Sequence, residues 1–194
     1  MNVERYMHTG AVSVCGDAPL AEAKKVMEEN GFGLLLVTSA TDELKGFITK
    51  GTLNSVTDWE KPVQSICHEA CFAVSPDDTL EKAALILLEN RLVLLPVIDG
   101  ERRLLGVLTQ SEILHGLARG FGIGLEAVRL TVRVRRDSQD LHKVLRVLSD
   151  HAVHLVSLAQ GRVDAAYRDV ILRVQGVGDK EALCTALESA LREG

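Results

Sequence analysis

Hydrophobic and polar positions along this chain follow two rhythms, and one succession of them occurs twice. Residues 12–15 read as a short extended piece, followed by Asp17, Ala18 and Pro19, which suit a helix start. Apolar Leu20, Ala23, Val26 and Met27 then recur every three or four positions, the spacing that gathers side chains on one helix face. Asn30 and Gly31 suit the end of that helix. Residues 34–37 form a continuous apolar run, as in a strand covered on both faces. Polar residues 39–43 turn the chain into a second strand over residues 44–49, predicting a hairpin that a second helix closes.

Shifted by sixty positions, the sequence meets itself again without a gap. Val3 falls on Val63, His8 on His68, Val14 on Val74, Asp17 on Asp77, Leu20 on Leu80 and Ala23 on Ala83. Glu29 and Asn30 fall on Glu89 and Asn90, Val37 on Val97, Gly46 on Gly106, and Thr49 on Thr109. The second copy therefore repeats the β-α-β-β-α pattern, with an extended piece over residues 72–75 and strands over residues 92–98 and 104–109. Leu80, Ala83, Ala84, Leu87 and Leu88 are its predicted buried helix face. Each such unit has helices on one sheet face only, so the apolar surface it leaves is expected to be closed by the other copy. The repeats are assigned to residues 1–60 and 61–120.

Glycines 116, 120, 122 and 124 mark a connector, and a third domain is expected over residues 125–194. Residues 128–134 alternate strictly, with Leu130, Val132 and Val134 on one face and Arg129, Thr131, Arg133 and Arg135 on the other, as in a half-exposed strand. With Arg173 these arginines form a basic stripe, read as a solvated strand face. Leu141, Val144, Leu145 and Leu148 mark an amphipathic helix, and strands are predicted over residues 153–159 and 168–174. A last helix over residues 179–192 is expected to bury Ala182, Leu183, Ala186, Leu187, Ala190 and Leu191. The order is again β-α-β-β-α, and the fold class is α/β (α+β).

Composition narrows the partners. With 46% hydrophobic and 25% charged residues the chain reads as globular, and a net charge of −5 gives no field that favours nucleic acid or an acidic membrane surface. The longest apolar runs fall far short of the roughly 20 residues that cross a bilayer. Residues 1–7 carry Glu4 and Arg5 and lack the apolar stretch of a secretory signal. Four cysteines, Cys15, Cys67, Cys71 and Cys184, do not suggest a disulfide scaffold, so a reducing cytoplasm is the expected location.

The candidate chemistry lies where the second strand of each hairpin meets its following helix. The segments Gly46-Phe47-Ile48-Thr49-Lys50-Gly51-Thr52 and Gly106-Val107-Leu108-Thr109-Gln110-Ser111-Glu112 resemble the Gly-h-h-Thr-x-x-Asp hallmark (h apolar) of the CBS domain, named for cystathionine β-synthase. Leu94-Leu95-Pro96-Val97-Ile98-Asp99 resembles the central strand of that family. The resemblance covers about residues 1 to 118 and implies a pair of CBS domains. It also implies a cleft for an adenosine-type ligand (AMP, ADP, ATP, S-adenosylmethionine or NADH), its ribose held by the Thr hydroxyl and the carboxylate. Thr109, Gln110 and Glu112 would then hold the ribose, with Phe72, Ala73 and Val93 walling the base. Thr49, Thr52, Ser13 and Val12 would line the other cleft. This sequence departs from the hallmark at its last position. Thr52 brings no charge, and Glu112 keeps the acceptor but moves it by about 1.5 Å. The second cleft is therefore ranked first. The same threonines also suit helix caps, and a purely structural pair is the competing expectation.

Residues 125–194 resemble an ACT domain, a ferredoxin-like small-molecule module, and a CBS pair followed by ACT is the layout of the acetoin-utilisation AcuB-like family. Amino-acid sites of ACT domains use a Pro- and Gly-bearing loop before the first helix. Arg135-Arg136-Asp137-Ser138-Gln139-Asp140 has neither residue, so a dimerisation role is expected instead. Cys67-His68-x-x-Cys71 brings metal-type ligands but no second pair, so no metal is expected, and Cys71 is read as a core thiol. His115, His142, His151 and His154 have no paired base, and catalysis has no positive support. The expected protein is thus a regulatory homodimer without a resident cofactor that senses an adenosine-type metabolite and signals to a cytoplasmic protein. A non-binding dimeric scaffold is the alternative, and an accessory enzyme of acetoin metabolism rests on family association alone.

Overall fold

The computed structural model describes residues 1–192, which divide by contact into two compact units, Met1–Gly116 and Leu117–Gly194. In the first unit, copy one supplies β1 (His8–Thr9), β2 (Ser13–Cys15), α1 (Leu20–Asn30), β3 (Leu34–Thr38), β4 (Leu44–Thr49) and the short α2 (Lys50–Leu53). Copy two supplies β5 (His68–Glu69), α3 (Leu80–Asn90), β6 (Leu94–Ile98), β7 (Leu104–Thr109) and α4 (Gln110–Gly120), which runs on past the end of this unit.

The two copies exchange their opening strands. β5 pairs with β4 of copy one in the sheet β2-β3-β4-β5, and β1 pairs with β7 of copy two in the sheet β1-β7-β6. This crossing explains why glycine stands at the head of both hallmark segments. A Cβ on Gly106 would lie 2.6 Å from the His8 carbonyl oxygen, and one on Gly46 would overlap the His68 carbonyl oxygen. The exchange continues at the helix starts, where Leu80 N–H donates to the Met1 carbonyl at 2.7 Å and Leu20 N–H to the Lys61 carbonyl at 2.9 Å. The hairpin turns also meet, Leu44 N–H donating to Arg102 and Leu104 N–H to Asp42, each at 2.9 Å.

Each helix buries one stripe. Leu20, Ala23 and Met27 of α1 pack on Leu35, Val37 and Ile48, and Leu80, Ala83 and Leu87 are their buried counterparts in α3. Three expectations need correction here. Leu88 is 73% exposed, because it lies about 100° round the helix from Leu87, beyond the covered stripe. The strand predicted over residues 72–75 reduces to a single bridge, Val74 to Val97, whereas β2 pairs with β3 over three residues. Pro96 occupies the position of Leu36 and has no N–H to extend that ladder. Cys71 is exposed rather than core.

In the second unit, β8 (Val128–Arg135), α5 (Asp140–Asp150), β9 (His154–Val163), β10 (Tyr167–Gln175) and α6 (Lys180–Arg192) build an antiparallel sheet of order β8-β10-β9. This is the ferredoxin-like order for three strands. Leu130, Val132 and Val134 of β8 meet Val170, Leu172 and Val174 of β10, Val144 and Leu148 of α5, and Leu183 and Leu187 of α6 in one core. Ala182 is exposed, since α6 presents only its Leu183 and Leu187 stripe fully to that core. The basic stripe is a solvated face, exposed at Arg129, Thr131 and Arg133, that also carries contacts within the chain. Arg135 ion-pairs with buried Asp140 at 2.9 Å, Arg133 pairs with Asp164 and lies over the Tyr167 ring, and Arg173 donates to the Leu125 carbonyl. Among the described residues no helix is long and apolar enough to cross a membrane.

Candidate functional site

The first unit places Thr109 at the last position of β7, where the strand hands over to α4. Glu112, one turn into the helix, folds back so that its carboxylate accepts from the Thr109 N–H at 2.9 Å and from the Thr109 hydroxyl. The Thr109 oxygen in turn accepts from the Ser111 N–H at 3.2 Å. Burial pushes the Glu112 carboxyl up, but the two Thr109 donors and the nearby His8 outweigh it and leave the group below its ordinary value. Glu112 is therefore ionised at neutral pH and serves the helix start as an acceptor. Gln110, the next residue, donates its side-chain amide to the Leu92 carbonyl at 3.2 Å.

Copy one repeats the arrangement without the charge. Thr49 accepts from the Thr52 N–H at 3.2 Å, the two hydroxyls lie 2.8 Å apart, and Thr52 Oγ1 is 3.2 Å from Nε2 of His68. His68 arrives from copy two on β5, just as His8 arrives from copy one on β1. Each Thr-x-x-(Thr/Glu) segment thus faces a histidine lent by the other copy. The sequence repeat matches His8 with His68 but assigns neither to the candidate cleft. The signal that would have found both is the crossing of opening strands, which a repeat read one copy at a time conceals.

A small apolar hollow of about 70 Å³ lies between the copies, with Leu34, Leu36 and Phe47 on one side and Cys71, Phe72, Val93 and Pro96 among the residues on the other. Phe72 and Val93, the expected base walls, meet at this hollow and are 40% and 62% exposed. Leu92, whose carbonyl holds Gln110, lines it too. The hollow is well below the 300 Å³ of a typical small-molecule site, and its rim at Phe72 and Val93 is open to solvent. Ala73 stands half-buried beside Phe72. The remaining expected residues lie elsewhere. Val12 is exposed, and Ser13 has its hydroxyl 3.5 Å from that of Thr38, which lines a separate polar hollow of about 400 Å³ with Asp17, Lys45, Gln64 and Glu69.

Cys67 donates weakly to the His68 carbonyl, and burial pushes its thiol up. Among the described residues no three His, Cys, Asp or Glu side chains are grouped to hold a metal ion.

Comparison with known proteins gives this geometry a context. The sequence profile of the CBS domain matches residues 3–56 and again residues 63–119. Inosine-5'-monophosphate dehydrogenase of Methanocaldococcus jannaschii is 31% identical over 103 residues, 53% of this chain and 21% of that enzyme. The chain spans less than a third of the length of the curated relatives it matches. Among solved structures, a CBS domain pair/ACT domain protein from Thermotoga maritima aligns with a TM-score of 0.57 and 24% identity, over 61% of this chain and 98% of that one. The CBSX2 protein in complex with AMP aligns with a TM-score of 0.56 and 22% identity, over 61% and 96%. At these identities the two structures speak for the fold.

Proposed function

Because the chain belongs to the CBS domain family and carries two copies of that domain in tandem, we propose that it is a regulatory protein whose CBS pair binds an adenosine-type nucleoside or nucleotide. The binding change then passes through a dimer to a cytoplasmic protein target. One observation carries the reading: Thr109 and the ionised Glu112 stand at the end of β7 with His8 from the other copy. Gln110 ties that corner to the wall of the apolar hollow at Phe72 and Val93. A carboxylate and a hydroxyl suit the vicinal hydroxyls of a ribose, and an aromatic rim suits a base. The complex of CBSX2 with AMP supports the ligand class. A ligand that shifts the packing of two interlocked copies acts by differential binding to two arrangements, which is a regulatory rather than a catalytic role.

The test is a thermal-shift panel on the full chain with AMP, ADP, ATP, S-adenosylmethionine and NADH. A ligand at a hundredfold its dissociation constant adds about 2.7 kcal/mol to stability. Glu112→Ala and Thr109→Ala are expected to abolish the shift, and Thr49→Ala to leave most of it. A second reading, a dimeric scaffold that binds no nucleotide, is favoured by two specifics. Glu112 already spends its acceptor on Thr109, and the hollow holds only about 70 Å³. A flat panel selects that reading and retires the sensor.

A further inference from the structure

We propose that copy one carries a second small-molecule site, apart from the Thr109 and Glu112 corner, which takes a single-ring aromatic carboxylate between α1, α2 and Trp59. The two copies differ first in helix length. Helix α4 runs for 11 residues, whereas α2 stops after 4, at Leu53. The chain then turns back over the start of α1, where the Ala21 N–H donates to the Trp59 carbonyl at 3.1 Å. The gap that the short helix leaves is a hollow of about 240 Å³, with Met27, Phe32, Leu53 and Trp59 among the residues that line it.

Floor and rim are chemically unlike. Met27 and Leu53 are buried, and Phe32 and Trp59 lie half-buried against the core of copy one, so the floor is apolar and holds the chain's only tryptophan. A flat ring stacks on such a floor and gains beyond the area it buries. The rim carries Lys24, Glu28 and Lys50. Lys24 lies 4.7 Å from the centre of the Trp59 ring and 3.9 Å from Glu28, so its charge is already met. Lys50 is exposed and, among the described residues, makes no ion pair and no side-chain hydrogen bond. Copy two has Ala84, Gln110 and Arg119 where copy one has Lys24, Lys50 and Trp59, and its Gln110 is tied to the Leu92 carbonyl. The fold of a copy therefore has no need of lysine at either place.

Charge and volume select the ligand. Lys24 and Glu28 balance each other, so Lys50 leaves the rim one positive charge in excess. That suits a monoanionic carboxylate better than a phosphate monoester, which carries about −1.5 to −2 at neutral pH. A hollow of about 240 Å³ lies below the 300 Å³ at which drug-sized sites begin, and so suits one ring rather than a nucleotide. The ring lies over the apolar floor while its carboxylate meets the Lys50 ammonium at the rim.

The test is a titration of the full chain with benzoate, followed by the emission of Trp59. The wild type is expected to give a saturable change, and benzyl alcohol and benzylamine to bind at least about 10-fold more weakly. Lys50→Gln is expected to raise the benzoate dissociation constant by about 10-fold and Lys50→Glu to abolish saturation, with the circular dichroism of both variants kept because the side chain is exposed. Glu28→Gln, which removes the carboxylate of the rim, is expected to tighten binding by about 3-fold. A response that rises without saturating, as that of free tryptophan does, overturns the proposal. So does benzoate binding that ignores both Lys50 variants, benzylamine binding as tightly as benzoate, or a Glu28→Gln variant that binds more weakly. The readout is independent of the nucleotide panel, so a flat result in either experiment leaves the other reading standing.

Discussion

Gly106 and Asp140 show how much of this molecule turns on single atoms. At Gly106 the missing Cβ is the space through which the carbonyl of His8 passes, 2.6 Å from where that atom would be. The obstacle is backbone, which cannot swing aside, so Gly106→Ala is expected to cost about 1–3 kcal/mol and to lower the melting temperature accordingly. Asp140 makes a different kind of contact. Its buried carboxylate accepts from the side chain and backbone of Arg135, and the guanidinium holds it far below the ordinary carboxylate range. A group depressed in the folded state contributes stability that is present above its unfolded value, about pH 3.9, and is lost as pH falls toward the folded one. Asp140→Asn is therefore expected to destabilise the second unit by about 1–3 kcal/mol at neutral pH. The difference should fade below about pH 3 in an acid titration followed by circular dichroism.

Helices and strands repeat the lesson at the next size. Thr79 accepts from the Lys82 N–H at 3.2 Å at the start of α3, whereas α1 begins after Pro19 with no side-chain cap. Thr79→Ala is expected to cost about 1 kcal/mol in chemical denaturation, and Pro19→Ala to leave cap energy unchanged. Most elements were legible because each has an unambiguous period. The strict alternation of residues 128–134 gave β8 its inner face, and the three- and four-residue spacing gave α1, α3 and α5 theirs. Errors fell where burial depends on a neighbour the local pattern does not contain. Leu88 fits the helical period yet lies outside the covered stripe, and Phe72 and Ala73 have strand character but face Pro96. At the candidate site, Thr109 and Glu112 were legible from their motif, as were Phe72 and Val93 at the hollow. The histidines opposite were not, because they reach each segment from sixty residues away.

Across the whole first unit, pseudo-symmetry is real in backbone and broken in side chains. The hydrogen bonds at the helix starts, the meeting of hairpin turns and the strand exchange all recur, while Thr52 replaces an acid and Lys25, Glu28 and Asn54 replace leucines. One copy thus keeps the charged corner and the apolar helix face, and the other keeps the polar versions of both. Nucleotide titration of a Glu112→Thr variant, which makes the second corner like the first, is expected to abolish any saturable binding that the wild type shows.

The crossing of β1 and β5 has a consequence for how this chain can be taken apart. Neither half owns all the strands of its own sheet, so a break in the peptide between residues 54 and 62 severs a covalent link without removing any of the pairing that interlocks the halves. Two polypeptides made separately from either side of that break should each be poorly structured, and should regain order on mixing, as complementary fragments do.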